Sequence, residues 1–139
     1  ARVAAWEIHC LGRPAINESF SAGNLKFSFE LWRDETPILL DKLIIDRSEL
    51  DNAVGLRGYP VFGTFIISNA SKGVLDLVRT KMFEGDDCVY GATQIEDIII
   101  IRCLGRKTHL IQDFFREVWQ QIRPLVFERE ASIPRIWAT

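Results

Sequence analysis

Three side chains combine donor chemistry with a setting that could use it: Glu7, His9 and Asp41. The first two lie in Trp6-Glu7-Ile8-His9-Cys10-Leu11-Gly12-Arg13-Pro14, which opens like a strand and is cut off by Gly12-Arg13-Pro14, a break that no strand interior accepts. Alternation puts Trp6, Ile8 and Cys10 on one face and Glu7, His9 and Leu11 on the other. A carboxylate and an imidazole roughly 7 Å apart along a strand can serve as a polar or metal-contacting site. They can equally be the solvated face of a half-exposed strand. Asp41 sits in residues 38–46 between Leu39 and Leu43, with Ile45 beyond. An acid on an apolar strand face must be paired, hydrogen-bonded or turned to a wet cavity. An ion pair with Arg33 would meet that need, and so would a place on the wall of an interior channel.

Other chemistries find little footing. No Gly-x-Ser-x-Gly elbow is present. The Gly55-Leu56-Arg57-Gly58 corner leads into a strand, without the helix N-terminus that phosphate loops use. His109, in the first turn of the last helix, is expected to face solvent. Cys10, Cys88 and Cys103 show no metal-ligand spacing. Each sits in an apolar run, where a thiol behaves as a small core residue. Trp119 suits the core, whereas Trp137 in an extended tail is more open to a partner.

The totals narrow the class further. The chain has 139 residues, 47% hydrophobic and 26% charged, ordinary for a soluble globular domain, and is expected to form a single domain over residues 1–139. A net charge of −2 and scattered basic residues argue against nucleic acid as a partner. The longest apolar run, Ile98–Ile101, is far too short for a membrane span. An odd number of cysteines without a signal peptide points to a reducing cytoplasm.

The elements that must position the three residues follow from periodicity. Leu25, Phe27, Phe29 and Leu31 alternate with Lys26, Ser28, Glu30 and Trp32, so residues 25–33 are a half-buried strand. Asp34-Glu35-Thr36-Pro37 is turn chemistry, and residues 38–46 complete a hairpin. Residues 48–52 are a loop or one helical turn. Residues 61–68 are a strand in which Gly63 marks a bulge or a close backbone approach. A helix over residues 73–83 follows, with Ser71 as its cap. Residues 88–93 and 95–104 read as strands. From Thr108, the spacing of Leu110, Ile111, Phe114, Phe115, Val118, Trp119 and Ile122 predicts an amphipathic helix that Pro124 ends or bends. Strand pattern begins at once, so the chain is expected to open in mid-strand, as a piece of something longer. The fold class is α+β, mainly β with two helices.

Several of these blocks are familiar. Trp6 to Pro14, with Glu18-Ser19-Phe20 and Gly23 after it, closely resembles the mid-chain block of the UreD (UreH) family of urease accessory proteins. Leu31-Trp32-Arg33-Asp34, residues 37–43, Val61-Phe62-Gly63-Thr64, Val118-Trp119, Arg123-Pro124 and the closing residues 134–139 fit the same family in order, over its C-terminal half. The resemblance implies a non-catalytic maturation chaperone in the cytoplasm. It would scaffold UreF and the GTPase UreG on urease apoprotein and help conduct nickel to the urease active site. It further implies a β-helix-like stack of strands, here truncated at the N-terminus, with an interior tunnel along which acids pass Ni²⁺ in transit. No cofactor would be bound permanently. The acids at Glu7 and Asp41 match that path, and His9 joins them on strand geometry alone. In the closing block Trp137 and Arg135 are the candidate partner contacts. The competing reading is an α+β enzyme domain whose catalytic residues lie in a missing N-terminal half.

Overall fold

The apolar stripe of the last helix is the side that the fold buries. In the computed structural model, which describes residues 2–82, 85, 87–132, 134 and 135, Ile111, Phe114, Phe115, Val118, Ile122 and Val126 of helix α3 (Thr108–Phe127) are all buried. They pack with Val61, Phe65, Ile67, Ile99, Ile101 and Cys103 of a sheet. The elements before α3 are β1 (Ala4–Cys10), β2 (Leu25–Arg33), β3 (Thr36–Ile45), α1 (Arg47–Asp51), β4 (Val61–Ile67), α2 (Lys72–Thr80), β5 (Cys88–Ile95) and β6 (Ile98–Gly105). The fold is therefore α+β and mainly β, as expected, with a third helix in the short α1.

The chain divides into two compact units, residues 1–10 with 61–139, and residues 11–60. The first holds a four-stranded sheet in the order β1-β4-β6-β5, with α3 packed against β1, β4 and β6. The second holds the β2–β3 hairpin and α1. Every pairing between these strands is antiparallel. These pairings do not by themselves make the β-helix-like stack that the resemblance implies.

Gly63 explains how α3 can sit so close. A Cβ there would come within 2.9 Å of Ile111 Cγ2, 3.1 Å of Phe115 Cε2 and 3.2 Å of the Glu7 carbonyl oxygen. The register through Gly63 is unbroken, Ile8 opposite it on one side and Cys103 on the other. The glycine thus marks a close approach and not a bulge.

Pro124 does not end α3: the helix runs on to Phe127, and Glu128 closes it in a left-handed conformation. Proline removes a single backbone donor here, while the turn that follows it buries Val126, which holds the last residues to the core. The α2 helix begins after Ser71, as expected, but the serine side chain makes no capping bond. It stops at Thr80, short of the expected end at Phe83, which lies outside the described residues.

In the second unit, Asp46 caps α1 by accepting from the Ser48 and Glu49 backbone N–H groups at 2.7 and 3.1 Å. The hydrogen bond from the Ser48 hydroxyl, then that from the Glu49 backbone, holds its carboxyl below the ordinary value of 3.8. A carboxyl depressed in the folded chain adds stability above its unfolded value, and that stability is lost as pH falls through the folded value. An Asp46→Ala variant should therefore melt below the native chain at neutral pH, and the gap should narrow as pH drops beneath 3.8. Gly63→Ala should destabilise by about 1–3 kcal/mol through overpacking, read as a lower urea midpoint. An unmoved midpoint would contradict the close-approach reading.

Candidate functional site

Strand β1 is an edge strand, bonded on one side to β4. One of its faces is held by aromatic packing. The Trp6 ring meets Phe65 edge-on with centroids 4.9 Å apart, and Phe115 and Trp119 at 6.3 Å. Trp119 is thus part of the core packing, as its place on the stripe predicts. It also carries the Arg123 guanidinium 5.4 Å from its ring centroid. Such ring pairs contribute about 0.5–1.5 kcal/mol each beyond the burial of their area. This packing fixes the pleat of β1, and with it the face on which Glu7 and His9 stand.

On that other face the structure brings Glu7 and His9 together. His9 Nε2 lies 3.2 Å from Glu7 Oε2, with side-chain exposures of 27% and 43%. The imidazole is also stacked on Phe62, centroids 5.0 Å apart and planes 26° from parallel. Antiparallel register puts Thr64 directly opposite Glu7, and Arg102 of β6 directly opposite Thr64. Phe62 and Arg102 do not stand out in the sequence. Only the pairing of β1 with β4 and of β4 with β6 reveals that they share a face with the pair.

Asp41 belongs to the other unit. Leu39, Asp41, Leu43 and Ile45 form the better-covered face of β3, while Leu40, Lys42 and Ile44 are exposed. Phe29 of β2 is opposite Asp41, with Leu31 opposite Leu39 and Phe27 opposite Leu43. The strand-face argument for Asp41 therefore holds: it is a partly covered carboxylate ringed by apolar residues. Among the described residues no three His, Cys, Asp or Glu side chains gather into a set that could hold a metal ion. What Glu7 and His9 offer is a two-donor arrangement. His109 is exposed, as expected. Arg135 is exposed too, and Trp137 lies outside the described residues.

The turn that follows β1 is closed locally. Gly12 has φ +77°, and a Cβ there would run into the Glu18 carbonyl. The Arg13 and Glu18 backbones exchange hydrogen bonds at 2.8 and 3.2 Å, and their side chains form an ion pair at 2.6 Å. The Leu-Gly-Arg-Pro block is thus a built corner that ends β1 where it ends.

The thiols divide in a way the sequence did not suggest. Cys88 and Cys103 are buried, but Cys10 is exposed. Cys10 is the last residue of β1, which among the described residues pairs with one strand, β4. Burial, helped by the neighbouring Cys88, pushes the Cys103 thiol far up. Burial and a hydrogen bond with Cys88 do the same for the Tyr90 hydroxyl. Neither is then ionised near neutral pH, so neither is poised as a nucleophile.

The whole chain, and not one motif, matches a known family. The model of the UreD urease accessory protein family fits residues 1–138. The chain belongs to that family. A urease accessory protein UreD from Citrobacter koseri is 37% identical over 139 residues, all of this chain and 47% of that protein. One from Alcanivorax borkumensis is 36% identical over 141 residues, again all of this chain and 48% of that protein. One from Klebsiella aerogenes is 33% identical, over half of its own length. The chain thus spans about half the length of these curated UreD relatives. Their names are those of accessory proteins and not of enzymes, in line with the non-enzymatic reading of the residues. Among the described residues no helix is long and apolar enough to cross a membrane.

The division of the thiols can be checked directly. A thiol reagent should label one cysteine per native chain, Cys10, and all three after denaturation. Rapid labelling of Cys88 or Cys103 in the folded chain would contradict the burial described here.

Proposed function

We propose that the chain acts as part of a urease accessory protein that scaffolds UreF and UreG on urease apoprotein and helps conduct Ni²⁺ into the urease active site. Membership in the UreD family supports this. The observation that carries the metal part is the carboxylate of Asp41 on the partly covered, apolar face of the hairpin. A charge in such a place is costly unless a cation, a hydrogen-bond network or channel water compensates it. Glu7 is the second station of this path, with His9 beside it. Carboxylates suit transit, because a hard oxygen donor holds Ni²⁺ more loosely than thiolates or several imidazoles would.

On this reading nickel is cargo and no metal is resident. The working compartment is the cytoplasm. The closing residues, Arg135 and Trp137 among them, contact the partner proteins. The β-helix-like stack and the interior tunnel belong to the longer protein of which this chain would be the C-terminal half.

The test replaces the two acids in the full-length protein. Asp41→Ala and Glu7→Ala should leave melting temperature and the complex with UreF, UreG and urease intact while lowering the nickel content of urease. The double variant should be worse, because a path in series loses two stations. If Asp41 served only as the partner of an arginine, its loss would lower stability instead, by leaving that arginine charge uncompensated. Normal nickel loading with a stable double variant would overturn the tunnel assignment.

A further inference from the structure

We draw no further inference here: the strongest candidate, the exposed face of the β2–β3 hairpin on which Leu40 and Ile44 stand beside Lys26 and Lys42, carries nothing, because nothing in the structure shows what covers it.

Discussion

The position of β1, and of everything displayed on it, depends on how closely α3 can approach the sheet. Ile111 and Phe115 rest on the bare Cα of Gly63. That approach lets Phe115 meet Phe65 at 5.3 Å and Trp6 at 6.3 Å. Trp6 is partly exposed, as befits an edge strand, so β1 is held by its ladder to β4 and by the packing of Ala4, Trp6 and Ile8 against the core. A side chain at position 63 would lift the helix, loosen Trp6 and let β1 rotate about its ladder. The Glu7–His9 pair is on the opposite side of the same pleat and would move with it. Core packing and donor geometry are thus two sides of one strand.

The arrangement has a physical logic for a protein that passes a metal on. A resident metal site gathers three or four protein ligands and binds tightly, with second-shell bonds to hold them. Here a carboxylate and an imidazole stand side by side on an edge strand, and a second carboxylate stands on an apolar strand face. Of the thiols, Cys88 and Cys103 are buried, and burial keeps the Cys103 thiol protonated near neutral pH. On the proposed reading, this favours weak, directional contacts with Ni²⁺ over storage.

Much of this was legible in the sequence because it is periodic. The strict alternation of residues 25–31 marks the hairpin, and alternation about Asp41 identifies its face without any knowledge of the partner strand. The spacing of Phe114, Phe115, Val118 and Ile122 marks the buried side of α3. A glycine amid Val61, Phe62 and Phe65 signals a bulge or a close approach, and the unbroken register decides for the approach. What was not legible is set by long-range partners. Phe62 and Arg102 reach the Glu7 face only through the order β1-β4-β6, which no local pattern encodes. Cys10 looked like core because its neighbours are apolar, and it is exposed because it ends an edge strand. Pro124 looked like a terminator because its own chemistry disfavours helix, yet the helix runs on to Phe127, with Val126 buried two residues beyond the proline. The two-unit division was not read from the sequence, although turn-forming residues mark both ends of the segment, Gly12-Arg13-Pro14 at one and Gly55 to Pro60 at the other.

The central claim is that nickel moves through the protein along Glu7 and Asp41 and not through bulk solvent. It is tested most directly by preloading the full-length protein, in complex with its partners, with isotopically labelled nickel. Transfer to urease apoprotein is then followed in the presence of a chelator that captures free Ni²⁺. Transfer that withstands the chelator with the native chain, and is lost with the Glu7→Ala, Asp41→Ala double variant in an intact complex, is the predicted result. Equal chelator-resistant transfer by the native and doubly substituted proteins would contradict the account.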